Sequence, residues 1–258
     1  MSVWYLLDPQ AIVLSILASM TTSLGATLVF LIRTVSHRMR DALVGLSAGL
    51  MLSVTALNLI PKALGPNQQN LPQVIIGIAL GATALFVLDM YIPHIHGILI
   101  PDKPLTKGMR TTLLMVAAIV IHNLPEGFAT GTAYSGGVTL FGNTVAMGIA
   151  LQNVPEGFLV SVPLRSQGYS VRDSFLAGTL SGIVEPLCAL AAMVIVGLFD
   201  ALLPYALAFA GGAMLYVIFD EMVPESHSHG FERTATASFM TGFLLMTIVN
   251  YAASMILV

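Results

Sequence analysis

Two seven-residue stretches of this chain repeat each other and carry most of its reactive side chains. Residues 122–128 read HNLPEGF and residues 152–158 read QNVPEGF, so they agree at five of seven positions and lie thirty residues apart. Each stretch places a carboxylate, an amide and a proline inside a long apolar segment, where all three are costly. Their repetition in one register therefore indicates a binding site rather than chance.

Acidic residues without basic partners give the physical reason for a cation site. Glu126, Glu156 and Glu185 each fall near the centre of a long apolar segment, and no Lys or Arg lies at that depth in any such segment. An unpaired charge at the centre of a membrane costs several kcal/mol. Three buried acids therefore require protonation or a bound cation, and we predict the cation.

Residue spacing brings further ligands to these acids. His122 and Asn123 lie four and three residues before Glu126, so the three can share one helix face, and Gln152 and Asn153 repeat this before Glu156. Successive antiparallel helices would bring both stretches to the same depth, and Glu185 on a third helix can complete the cluster. The predicted central metal site comprises His122, Asn123, Glu126, Gln152, Asn153, Glu156 and Glu185.

This ligand set favours a first-row divalent metal. Imidazole suits zinc, iron and nickel, whereas carboxylate and amide oxygens suit harder ions. Two bridging glutamates could also hold two ions close together. Pro125 and Pro155 should kink their helices and free a carbonyl towards a cavity, and Pro186 is expected to break the third helix; simple bending is the alternative.

The composition identifies an integral membrane protein. Of the 258 residues 56% are hydrophobic and only 9% are charged, whereas soluble domains carry about 25% charged residues. A net charge of -3 does not suggest a nucleic-acid partner, and the one cysteine excludes an internal disulfide. We predict an all-α membrane protein with one domain over residues 1–258 and eight spans at about 11–33, 41–61, 71–93, 110–133, 138–164, 171–199, 202–222 and 235–257.

Small residues four apart predict close packing between these helices. Four such glycine pairs occur: Gly45 and Gly49, Gly77 and Gly81, Gly127 and Gly131, and Gly178 and Gly182.

Basic residues predict the orientation. Nine Lys and Arg residues flank the odd-numbered loops, and only Lys62 lies on the other side. The positive-inside rule then places the odd-numbered loops in the cytoplasm and both termini outside.

Further polar residues near the membrane edges suggest a path for the metal. Asp89, His94, His96 and Glu221 lie where spans 3 and 7 end at the cytoplasmic side, and we predict an inner exit there, with a weaker indication for His227 and His229. Met51 in span 2 is a candidate soft ligand at an outer entrance, although a core role is the simpler interpretation.

The paired motif resembles that of the ZIP (Zrt/Irt-like) divalent metal transporters, in their bacterial GufA-like branch, and the similarity covers essentially the whole chain. The resemblance implies zinc uptake across the cytoplasmic membrane, often with iron, manganese or cadmium as further substrates. It implies a 3+2+3 inverted-repeat bundle in which spans 1, 4, 5 and 6 slide against the others as an elevator. A homodimer is left open.

The resemblance also implies a two-metal centre. His122, Glu126, Gln152 and Glu156 would form one site, and Asn123, Glu126, Asn153, Glu156 and Glu185 the second. Gln152 departs from the histidine that many members carry, and Gln is the weaker zinc ligand. Two alternatives stay open: an intramembrane metal-dependent hydrolase, although the HExxH motif is absent, and a protein that holds metal without moving it.

Overall fold

The computed structural model describes the backbone of residues 7–99 and 107–256. Side chains of residues 92–107, 110, 111, 115 and 256 lie outside the description. In the described part, eight helices are long and apolar enough to cross a membrane, and no strand is present there. The prediction of an all-α protein with eight spans is therefore confirmed.

The helices follow each other with short connections. Their bounds are α1 Pro9–Phe30, α2 His37–Leu64, α3 Leu71–Leu99, α4 Lys107–Ala133, α5 Leu140–Ser166, α6 Val171–Leu198, α7 Asp200–Ser226 and α8 Glu232–Ile256. Side chains that accept from free backbone N–H groups fix several starts. Asp8 accepts from the Gln10 amide, and Ser36, Thr139 and Ser170 do the same for α2, α5 and α6.

Two of the helices contain wide π turns instead of regular α geometry. The π segments are Thr55–Leu59 in α2 and Val217–Met222 in α7, and a proline follows each, Pro61 and Pro224. A proline has no N–H to donate and clashes with the carbonyl four residues earlier, which a widened turn relieves. This accommodation lets α2 and α7 continue beyond the ends that the sequence predicted.

The prolines of the paired motif do not break their helices. Helices α4 and α5 continue without interruption through Pro125 and Pro155. Helix α6 does break, between Ser181 and Val184, so that Glu185 lies in the first turn of its second half. The predicted break next to Pro186 is therefore confirmed, and it gives Glu185 a position at a helix start.

Glycines let the helices pack with their backbones in contact. A Cβ atom added to Gly49 would lie 1.9 Å from the Phe239 carbonyl oxygen of α8, and one on Gly81 would lie 2.0 Å from that of Phe209 in α7. One on Gly131 would lie 2.1 Å from the carbonyl oxygen of Ala189 in α6. The close packing expected at the glycine pairs is confirmed.

Helix contacts divide the bundle into two sets. Helices α1, α4, α5 and α6 pack mainly on one another, and so do α2, α3, α7 and α8. The sets meet chiefly where α5 lies against α2 and where α4 lies against α7. We call the end with loops 1–2, 5–6 and 7–8 the odd-loop end, and the opposite end the even-loop end.

Replacing Gly49 by Ala should destabilise the protein without touching the candidate site. The added methyl group meets backbone, which cannot rotate away, so α8 must move off α2 at a cost of roughly 1–3 kcal/mol or more. Thermal unfolding in detergent should show a lower midpoint. Gly136→Ala is the matched control, because an added Cβ there meets nothing within 4 Å; equal midpoints for the two variants would contradict the packing account.

Candidate metal site

Three buried glutamates form the centre of the site. Glu126 in α4 is 0% exposed, Glu156 in α5 is 3% exposed and Glu185 in α6 is 2% exposed. The three carboxylates lie close enough to interact electrostatically. Since no helix supplies a Lys or Arg to them in the described part of the chain, the centre is strongly attractive to a cation.

The amide side chains of the motif are held by their nitrogen atoms. Asn123 Nδ2 donates to the Ser181 carbonyl oxygen at 2.7 Å, where α6 breaks. Asn153 Nδ2 donates to Glu185 Oε2 at 2.9 Å, and Gln152 Nε2 donates to Glu126 Oε1. Because each nitrogen is engaged, each amide presents its oxygen as the remaining acceptor.

Buried oxygens without a donor are the clearest sign that this centre suits a positive ion. Such atoms are normally satisfied, because burying an unpaired polar group is costly. Among the described residues, seven buried side-chain oxygens at this centre have no hydrogen-bond partner: Asn123 Oδ1, Glu126 Oε2, Gln152 Oε1, Asn153 Oδ1, both oxygens of Glu156, and Glu185 Oε1. A divalent cation would satisfy them with the carboxylate and amide oxygens already present.

The amides are necessary to this interpretation. In the described part of the chain, no three His, Cys, Asp or Glu side chains meet closely enough to hold a metal by themselves. A metal at this centre would therefore draw on the oxygens of Asn123, Gln152 or Asn153 in addition to the carboxylates.

His122 contacts an acid of the predicted exit. Its Nε2 atom lies 2.6 Å from Glu221 Oε2, so this histidine joins α4 to α7 across the boundary between the two helix sets. The sequence placed His122 with the central carboxylates and Glu221 at the exit. The structure brings the two side chains into contact, and both line one cavity that Glu156 also lines.

That cavity connects the central site with the odd-loop end. Its volume is about 590 Å³, and Glu156 and His122 lie on its wall together with Asp89, Asp220 and Glu221. Arg40, Glu225 and Ser228 line its mouth. The structure thus brings Asp89 and Glu221 of the predicted exit onto the same path, while the side chains of His94 and His96 lie outside the described residues.

The other predicted histidines lie elsewhere. His229 Nδ1 is 2.7 Å from Asp41 Oδ1, and the His229 ring stacks on His37 at 4.4 Å. His227 contacts the backbone at Val223 and the Thr236 hydroxyl. Neither His227 nor His229 lines the cavity.

A second cavity of about 590 Å³ opens at the even-loop end. We call it the outer vestibule, after the orientation that the basic residues predict. Asn58, Lys62, Phe141 and Asn250 are among its lining residues. None of the central glutamates lines it. Met51 is 0% exposed in the apolar core and lines neither cavity, so its predicted role at the entrance depends on a different arrangement of the helices.

Helix α1 also contributes to the centre, and the sequence analysis did not predict this contribution. Asn153 also donates to the Ala18 carbonyl oxygen at 3.2 Å, and Ser19 and Thr22 lie beside Glu185. A signal was present, because Ser15, Ser19 and Thr22 recur at helical spacing on an otherwise apolar helix, and all three are buried. Hydroxyls can bond their own helix backbone, which made the pattern ambiguous.

Comparison with known proteins assigns the class. The sequence profile of the ZIP zinc transporter family matches residues 100–250. The chain belongs to this family, which fits the eight helices and the acid-rich centre. Because the family consists of transporters, the chain is a multi-pass inner-membrane transport protein and not an enzyme. The alternative of a metal-dependent hydrolase is therefore excluded.

Individual relatives are similar over almost the whole chain. The zinc transporter GufA of Myxococcus xanthus is 37% identical over 246 residues, which cover 93% of this chain and 97% of the relative. The zinc transporter ZIPB of Bordetella bronchiseptica is 36% identical over 90% of this chain and 77% of its own length. The zinc transporter ZupT of Chlorobaculum parvum is 30% identical, with coverage of 91% and 94%.

Replacing Glu156 by Gln should raise the stability of the metal-free protein. The three buried acids repel one another, and both carboxylate oxygens of Glu156 lack a donor, so the change removes an unfavourable charge. The same change should shrink the increase in melting temperature on zinc addition, which reports binding to the folded state.

Ser161→Ala in the same helix is the control, since its hydroxyl bonds only the Phe158 carbonyl. It should show no gain and a full zinc shift. If Glu156→Gln lowered the metal-free midpoint and kept the full zinc shift, Glu156 would be a structural residue instead of a ligand.

Proposed function

We propose that this protein takes up zinc across the cytoplasmic membrane through the central site between α4, α5 and α6. The observation that carries the proposal is the set of seven buried, donor-free oxygens with no basic side chain among them. The names of the relatives support zinc as the cargo. Iron, manganese and cadmium are proposed as further substrates, because mixed oxygen and imidazole ligands discriminate weakly among these ions.

The central site is proposed to hold one or two ions. Glu126 and Glu156 face each other from neighbouring helices, so each carboxylate can bridge. One ion would bind Gln152 and these two acids. His122 would join them once its imidazole has moved away from Glu221. The second would use Asn123, Asn153 and Glu185, and the amide nitrogens of the two asparagines are already anchored.

The direction of transport follows from two features. Basic residues are concentrated at the odd-loop end, which the positive-inside rule assigns to the cytoplasm. The cavity that reaches Glu156 opens at this end. We therefore interpret the described conformation as inward-open, with both termini outside.

Release is proposed to run along the acidic wall of the inner cavity. The imidazole of His122 engages Glu221 in the described conformation, so a metal that it carries from the centre would meet Glu221 and then Asp89. His94 and His96 are the proposed last ligands. Metal enters from the outer side past Met51 when the helices rearrange.

The helix sets support an elevator movement as the rearrangement. All three central glutamates belong to α4, α5 and α6, while Glu221 and Met51 belong to the other set. Sliding one set against the other would carry the site from the outer vestibule to the inner cavity. Homodimer formation remains a proposal that this movement does not require.

Neutralising any central acid should abolish uptake. Glu126→Gln, Glu156→Gln and Glu185→Gln proteoliposomes are each expected to accumulate zinc no faster than empty liposomes, because each change removes a charged ligand. The readout is a trapped fluorescent zinc indicator, followed by competition with Fe(II), Mn(II) and Cd(II).

Glu232→Gln is the matched control, since this acid is exposed at the start of α8, and it should transport normally. Normal uptake by both Glu126→Gln and Glu156→Gln would sink the proposal. Tight zinc binding by the wild-type protein without any flux would instead favour a protein that holds metal without moving it.

Cross-linking distinguishes movement between the sets from a rigid pore. In a Cys188→Ala background, Val54→Cys with Gly148→Cys joins α2 to α5, where an added Gly148 Cβ would lie 2.3 Å from Val54 Cγ2. Oxidation should stop uptake, and reduction should restore it.

The control pair, Ser53→Cys with Thr247→Cys, joins α2 to α8 within one set, where the two hydroxyl oxygens lie 3.4 Å apart. Its oxidation should leave uptake intact. Full transport by the oxidised Val54 and Gly148 pair would rule out sliding of the sets.

A further inference from the structure

The two cavities carry opposite charge, although both have a volume of about 590 Å³. The inner cavity is lined by five acids, Asp89, Glu156, Asp220, Glu221 and Glu225, and by one Arg. The outer vestibule is lined by amides, hydroxyls and apolar groups, and Lys62 is the one charged side chain among the described residues on its wall. A cation pathway thus begins, on the proposed orientation, beside a positive charge.

The contrast recurs at matching positions of two helices. The π segment of α2 is followed by Pro61 and Lys62, and that of α7 by Pro224 and Glu225. Asn58 precedes Lys62 by four residues, and Glu221 precedes Glu225 by four. The same local geometry therefore presents an amide and a cation at the outer side but two acids at the inner side.

Lys62 lies where it can act on an incoming ion. Its side chain is exposed, and its Nζ atom stands 5.3 Å from the centre of the Phe141 ring on α5, on the vestibule wall. Asp8 and Asp200 belong to the same end of the bundle but do not line the vestibule. Among the described residues, no carboxylate on that wall neutralises the ammonium.

We infer that Lys62 sets the rate of cation capture at the outer vestibule, by electrostatic repulsion of the hydrated divalent ion. This rests on the proposed transport function and adds a specificity-determining residue to it. Repulsion at the mouth lowers the local concentration of a divalent ion and affects a monovalent ion less. Such a charge keeps uptake slow at low external zinc, while the acids of the inner cavity favour release.

The test compares Lys62→Ala with the wild-type protein in proteoliposomes at zinc concentrations well below half-saturation. The initial rate should rise roughly three- to tenfold at low ionic strength, because one unit charge is removed from the ion's path. The gain should vanish at about 0.5 M salt, where charges are screened within a few ångströms. The maximal rate at saturating zinc should stay unchanged.

Three further variants make the result specific. Lys62→Arg keeps the charge and should behave as wild type. Arg172→Ala removes the same charge from an exposed position in the first turn of α6, at the odd-loop end, and should give no gain. Phe141→Leu removes the ring but not the ammonium and should also give no gain.

The experiment distinguishes a failure of the Lys62 inference from a failure of the proposed transport function. Equal initial rates for wild type and Lys62→Ala would overturn this inference alone. A gain that persists at high salt, or that Phe141→Leu reproduces, would show that Lys62 acts as a mechanical contact between α2 and α5, and it would equally overturn the electrostatic role. A wild-type protein without uptake would overturn both this inference and the proposed function.

Discussion

The burial of three like-charged carboxylates without a basic partner is the constraint on which the rest of this structure depends. In a medium of low dielectric constant, such a cluster repels itself unless protons or a cation neutralise it. The surrounding groups suit the proposed cation: the amide nitrogens of Asn123 and Asn153 donate to fixed acceptors, and their oxygens have no donor. Glycine-mediated packing brings the backbones of α4 and α6 into contact beside the cluster, and the inner cavity reaches the cluster at Glu156.

Much of this could be predicted because membrane burial leaves few options. Apolar length predicted the eight helices, and the absence of Lys and Arg at the depth of Glu126, Glu156 and Glu185 led to the cation site that we propose. Local pattern did not reveal long-range partners. The pairing of His122 with Glu221, and the contribution of Ala18, depend on which helices become neighbours, and spacing along one helix carries no information about that.

The prolines are a second case in which the sequence does not determine the local structure. Proline chemistry predicts strain, but the chain relieves it by different routes: Pro125 and Pro155 sit in uninterrupted helices, Pro186 follows a break, and Pro61 and Pro224 follow π turns. Neighbouring helices decide which route is taken, since they determine where a backbone can widen. The two π turns then place polar side chains at opposite mouths of the bundle.

Gln152 has a consequence for the conditions under which metal can be held. Its amide donates to Glu126 and leaves one oxygen for the ion. An imidazole in that place would gain a proton in mildly acidic surroundings and become a cation that expels the metal. An amide has no such equilibrium, so at this position of the proposed site protons would not compete with the ion. Gln152 would thus be a weaker ligand whose availability does not depend on the acidity of the surroundings.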